Sequence, residues 1–269
     1  MLQLEPGSRP GQYRLLVEKH LAVGPPDAMF MFGGVGLGSA LAAVEAFTGR
    51  ATVWAAAQYL SYARPGTWLD LDVQVPVAGK YNSQARVITR AGDQEIITVN
   101  AALGSRPGTE DRQWAAMPAV PPPEACPPMP IRWSRDPADL NGQFDRRVAH
   151  GQFGAAAGTP SPDGIGRLWV RPTDPAMPID RHTLAVMADF LPSGVGNALG
   201  TAAGGNSLDN TIRYMKFVPT RWVLLDMRIH AVHDGFAHGR VHLFAEDGTL
   251  MATASQSLIL RFHAPPPKA

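Results

Sequence analysis

Apolar positions along this chain follow two rhythms. Leu37, Leu41, Val44 and Phe47 fall at helical spacing, which predicts a helix opened by Gly33-Gly34 and capped at its C-terminus by Gly49. Leu184-Ala-Val-Met-Ala-Asp-Phe-Leu191 predicts a second helix, apolar nearly all round, with Asp180 as N-cap before Arg181 and Pro192 as its stop. After each helix the rhythm turns strand-like. The runs are 52–62, 69–77, 83–89 and 95–103 in the first half, and 207–217, 223–232, 238–244 and 250–262 in the second. Asp234-Gly235 and Asp247-Gly248 read as hairpin turns between the last three. One helix and a meander of strands, made twice, is an α+β plan.

The two halves look like copies of one unit. Tyr59-Leu-Ser-Tyr62 precedes Trp68-Leu-Asp-Leu-Asp72, and Tyr214-Met-Lys-Phe217 precedes Trp222-Val-Leu-Leu-Asp226, at offsets of 155 and 154. A period that long indicates a duplicated domain and not a solenoid. Between the copies lies Pro118–Pro130, in which seven of thirteen residues are proline, so it neither continues a helix nor fills a central strand and is expected to be extended. The expected division is a first domain over 1–117, a linker over 118–130 and a second domain over 131–269.

Composition narrows the function classes. A net charge of +1 with no basic block argues against nucleic-acid binding. The single cysteine, Cys126, excludes a disulfide framework and a thiolate metal site. The apolar stretch from Gly33 to Phe47 is too short to span a bilayer and contains Glu45, and the first residues lack the charged start and apolar run of a signal peptide. The expectation is a soluble cytoplasmic protein.

Several short motifs, in a fixed order, resemble the acyl-CoA thioesterase II family. They are Phe32-Gly-Gly34 and Tyr59-Leu-Ser-Tyr-Ala-Arg-Pro-Gly66 in the first half, then Trp169-Val-Arg-Pro, Met187-Ala-Asp-Phe190, Ser207-Leu-Asp-Asn210 and Ala254-Ser-Gln256 in the second. The resemblance implies a double hotdog fold, each half a curved antiparallel sheet around a central helix. It also implies hydrolysis of fatty acyl-CoA by a water held jointly by an Asp, a hydroxyl residue and a Gln, with no cofactor. Position by position these fall on Asp189, Ser207 and Gln256. Ser207 stands where the family usually has Thr; it keeps the hydroxyl and loses the methyl that fixes the Thr rotamer. Gly34 stands 155 residues before Asp189 and Asn100 stands 156 before Gln256, so one active site per chain is expected. Hotdog units commonly pair, so a homo-oligomer is also expected.

The residues make part of this case unaided. Asp189 sits in an apolar helix, and a buried carboxylate needs donors, which Ser207 and Gln256 can supply. The plainer alternative is that Asp189 caps a backbone NH or bonds a buried water. Backbone NH groups of Gly33 and Gly34 are candidates for the oxyanion site, against close helix–sheet packing as their simpler role. Gly34-Val-Gly-Leu-Gly38 fails the dinucleotide spacing, and Gly205-Asn-Ser207-Leu-Asp209 fails the nucleophile-elbow pattern. His230, His233, His238 and His242 alternate with apolar neighbours and lack acidic or cysteine support for a metal. Arg64, Lys216 and Arg221 are possible phosphate partners, and the glycine-rich stretch 193–206 is expected to be a flexible rim. Two other functions compete: a non-catalytic acyl-CoA or lipid binder, and a hotdog enoyl-CoA hydratase using Asp180 and His182.

Overall fold

In the computed structural model, which describes residues 1–130, 136, 138–154 and 158–263, both expected helices form and lie against one another. The expected bounds of the second domain, at 131 and 269, lie outside these residues. Helix α1 spans Gly33–Thr48 and buries almost every residue from Gly34 to Val44, as its apolar composition requires. Gly49 ends it in the left-handed conformation at φ 65°, its NH bonded to the Glu45 carbonyl. Helix α2 is shorter, Arg181–Ala188, with the Asp180 carboxylate accepting from Thr183 N at 2.8 Å. It ends at Asp189, three residues before the expected stop at Pro192, because Asp189 and Phe190 make tight-turn bonds to Val186 and Met187.

Strands β1 (Glu5–Pro6) and β2 (Gln12–Leu16), then β3 (Ala22–Val23) and β4 (Phe30–Met31), precede α1; β5 (Thr52–Tyr59), β6 (Trp68–Ala78), β7 (Asn82–Ala91) and β8 (Gln94–Gly104) follow it. In the second half β9 (Phe144–His150) and β10 (Ile165–Pro172) precede α2. After it come helix α3 (Gly194–Leu199) and strands β11 (Ala203–Ser207), β12 (Asp209–Tyr214), β13 (Val223–His233), β14 (Phe236–Ala245) and β15 (Leu250–Phe262). All but β3 and β4 join one antiparallel sheet in the order β1-β2-β6-β7-β8-β5-β12-β15-β14-β13-β10-β9, with β11 also on β15. Outward from the central β5–β12 pair the order mirrors itself: β8, β7, β6, β2 on one side and β15, β14, β13, β10 on the other. The mirrored order is what a duplicated unit produces, and it is a double hotdog.

Four expectations need correcting. Each half has strands before its helix as well as after it, so the plan is not simply helix then meander. The stretch 193–206 is built rather than loose: it forms the end of a 3-10 turn (Leu191–Ser193), α3 and most of β11. The run 207–217 breaks at Leu208. Ser207 lies opposite Leu258 while Thr211 lies opposite Ser255, so four steps on one strand match three on the other. That one-residue bulge turns Ser207 onto the face shared by Asn210, Ile212 and Tyr214. The proline-rich segment, expected to be extended throughout, carries a 3-10 turn at Pro123–Ala125, and it is anchored: the Trp169 indole donates to the Pro121 carbonyl at 2.9 Å, and Cys126 packs with Trp169, Trp222 and Phe244.

Candidate active site

The two helices run antiparallel, and the site lies where the start of α1 meets the end of α2. Asp189 is 3% exposed and accepts three hydrogen bonds. Gln256 Nε2 donates to its Oδ1 at 2.6 Å, Ser207 Oγ to the same oxygen at 3.2 Å, and Gly34 N to its Oδ2 at 2.6 Å. The structure therefore brings together all three expected residues, from the end of α2, the β11 bulge and β15. Asp189 caps the helix and is not inside it. A carboxylate is disfavoured at a helix C-terminus, but here the N-terminus of the longer α1 points at it and supplies the Gly34 amide.

Of the two roles considered for Gly34 the structure shows close packing, and its NH serves the carboxylate. Its NH is spent on Asp189 and not on an oxyanion. Its bare Cα permits the helix crossing, since a Cβ there would meet Val186 Cα at 2.8 Å and Asp189 Cβ at 2.9 Å. Gly33 similarly keeps a side chain away from Asp189 Oδ2 and the Tyr59 ring, which a Cβ would approach to 2.8 and 3.1 Å.

Complete burial pushes the Asp189 carboxyl up to about 6, and the Gln256, Gly34 and Ser207 donors hold it from rising further. It is an acid that ionises near neutrality, suited to accept a proton. Each carboxylate oxygen has two acceptor directions; Oδ1 uses both on protein donors, and Oδ2 uses one.

A cleft of about 460 Å³ runs past Asp189 and Ser207. Val23, Phe30, Met31, Phe32, Tyr62 and Phe190 give it an apolar wall, and Arg146, Arg261 and His263 line its polar side. A second lobe of about 260 Å³ shares Asn141, Arg146, Ser193 and His263. Arg146 packs its guanidinium 5.0 Å over the Phe190 ring and donates to Asn141 at 2.9 Å. Among the described residues Arg146 and Arg261, and not the sequence candidates, are the arginines that line the cleft. Lys216 instead pairs with Asp111 and Arg221 N bonds Glu246, while Arg64 lies over Tyr62. In hindsight the alternation Phe144-Asp-Arg146-Arg-Val148 would have placed Arg146 on an inward face.

His182 lies at the other end of α2. It contacts Glu45 at 3.2 Å and Asp180 at 3.6 Å. Burial opposes its cation, but these two carboxylates outweigh it and raise the imidazole to about 9. A histidine held protonated there, off the cleft, is no general base. His230, His238 and His242 sit on β13 and β14, and among the described residues no group of His, Cys, Asp or Glu is placed to hold a metal ion.

The chain is thus a double hotdog with a buried carboxyl where its halves meet. The acyl-CoA thioesterase C-terminal domain model matches residues 123–260, and the chain belongs to the acyl-CoA thioesterase family as a thioester hydrolase. A candidate thioesterase from Novosphingobium aromaticivorans superposes at a TM-score of 0.86 with 36% identity, over 96% of this chain and 98% of that one. Two more distant structures share the fold. A hotdog protein from Alicyclobacillus acidocaldarius has a TM-score of 0.82 at 19% identity, and an acyl-CoA thioesterase II from Mycobacterium marinum one of 0.74 at 22%, each covering 97% of both chains. No curated protein sequence matches the chain. Among the described residues no helix is long and apolar enough to cross a membrane.

Proposed function

We propose that the chain hydrolyses fatty acyl-CoA to the free acid and CoA through a water held at Asp189, whose carboxylate Ser207 and Gln256 position. The observation that carries this is the meeting of those three side chains at one buried carboxyl that ionises near pH 6. A water against the Asp189 carboxylate gives it a proton while the water oxygen attacks the thioester carbonyl; collapse of the tetrahedral intermediate breaks the C–S bond, and the departing CoA thiolate takes the proton from Asp189, leaving the carboxylate ready for the next turnover. Gln256 and Ser207 fix the carboxylate from behind, which is positioning catalysis. All three acting side chains belong to the C-terminal unit, 131–269. The N-terminal unit, 1–117, supplies cleft wall through Val23, Phe30, Met31 and Tyr62. Arg146, Arg261 and His263 are suited to the phosphates of the CoA moiety.

Free-thiol release from a panel of acyl-CoAs tests the reading. Steady release is expected, and tight binding with no release would favour a non-catalytic binder. Because Ser207 helps to hold the carboxylate and is no nucleophile here, Ser207→Ala should lower kcat by roughly ten-fold and leave clear turnover. Total loss in a folded Ser207→Ala protein would point to a covalent acyl-serine route instead.

A further inference from the structure

The cleft at Asp189 changes character from one half of the chain to the other. Arg146, Asn206, Arg261 and His263 line its C-terminal side, with Phe190 and Pro192 among them. Val23, Phe30, Met31 and Phe32 line its N-terminal side, all from the β3–β4 hairpin or the residue that follows it. An apolar acyl group gains most by leaving water against the hairpin wall, so with its thioester at Asp189 it runs toward that wall.

Met31 is the deep member of this wall. It is 7% exposed, and it belongs to the core as well as to the cleft. Its backbone is fixed, opposite Ala22 in the hairpin and with its NH donating to the Ala63 carbonyl at 2.8 Å. Its side chain is the adaptable part, an unbranched thioether with three rotatable bonds. The terminal methyl lies over the bare Cα of Gly36 on α1, with Ile97 of β8 beside it. A Cβ at Gly36 would meet Met31 Cε at 3.1 Å and Ile97 Cδ1 at 3.5 Å. Ala would be the better helix former at this position, and glycine leaves the room that the methyl occupies. Phe30, next along the strand, turns the other way and sets its ring against Gly24.

We propose that Met31, seated in the notch at Gly36, is the end stop of the acyl site and a specificity-determining residue, setting the longest acyl group whose thioester still reaches Asp189. The inference rests on the hydrolysis reading above and deepens it by naming what limits the substrate. A longer acyl group must draw its thioester back from Asp189 or displace a side chain packed against α1 and β8. The penalty therefore falls on kcat/KM and grows with each added carbon. Met31 and Gly36 should act in opposite directions. Met31→Ala removes the stop and opens the space over Gly36. Gly36→Ala fills the notch, so the Met31 methyl must move by a few tenths of an ångström away from α1, toward the cleft that Met31 lines.

The test is kcat/KM for thiol release from a series of straight-chain saturated acyl-CoAs, on the full-length wild type and both variants, with thermal melts as a check of folding. Ratios between acyl lengths within one protein do not depend on its folded fraction, and a merely structural role leaves them unmoved. At roughly four-fold per buried methylene, Met31→Ala should raise kcat/KM for an acyl group two carbons beyond the wild-type optimum by about ten-fold relative to the optimum itself. Gly36→Ala should lower kcat/KM for the wild-type optimum by about four-fold relative to an acyl group two carbons shorter. Ratios unmoved in either folded variant, or moved the same way in both, overturn the end stop. So does a wild-type kcat/KM that rises without limit along the series. If Met31→Ala fails to fold, Gly36→Ala decides alone. A wild type that releases no thiol from any acyl-CoA defeats the hydrolysis reading and the end stop with it, whereas release with unmoved ratios defeats only the end stop.

Discussion

Asp189→Asn is expected to lower kcat/KM by about 10²–10⁴, the range for removing a positioned general base, with the fold intact. The side chain keeps its size but can no longer take a proton. Stability should move the other way. The folded chain holds the Asp189 proton up to about pH 6, about two units above the ordinary carboxylate value, so ionising it opposes folding. Its penalty is absent while the group is protonated in both states and grows as pH rises from about 4 to about 6. Near neutrality it is worth about 3 kcal/mol. Asn carries no charge and escapes that penalty, although its amide nitrogen must face a donor and so offsets part of the gain. A melt at pH 8 should therefore give a Tm no lower than wild type, alongside the lost activity. A strongly destabilised variant would mean that Asp189 is chiefly structural.

Gly34→Ala should harm both folding and turnover. The added methyl would lie under 3 Å from Val186 Cα, Val186 O and Asp189 Cβ, and two of those are backbone atoms that cannot swing aside. The α1–α2 crossing must open, at about 1–3 kcal/mol for overpacking, which lowers Tm by roughly 2–10 °C. The same displacement lengthens the 2.6 Å bond from Gly34 N to Asp189 Oδ2, so activity should fall by more than the loss of folded protein explains. Gly49→Ala is the control. A Cβ there meets nothing within 4 Å, and although φ is 65°, the strain lies at the far end of α1. Equal specific activity in folded Gly34→Ala and wild type would show that the Gly34 contact does not matter to the chemistry.

The helices and the long strands after them were legible because their apolar spacing is regular and their turns carry Gly in the left-handed region. At the β13–β14 hairpin, Asp234 and Gly235 take φ of 48° and 77°, as an Asp-Gly turn should. Strands β9 and β10 were missed because their charged residues face the cleft and the sheet partner: Arg146 lies at the cleft and Arg167 binds Asp226 at 2.7 Å, which blurs the alternation. Three site residues came from the family motifs, and burial of the second helix pointed independently to Asp189. The Gly34 contact was not legible, since it joins residues 155 apart across a helix crossing. Nor was the Leu208 bulge, for no residue type marks it.

The central claim is that a water-activating carboxylate sits buried where the halves meet. The pH dependence of kcat/KM measures its ionisation directly. The account predicts a single acidic limb near pH 6, with activity present above it and lost below it, and no such limb in the residual rate of Asp189→Asn. A limb at the ordinary carboxylate value near 4, or the same limb persisting in Asp189→Asn, would contradict it.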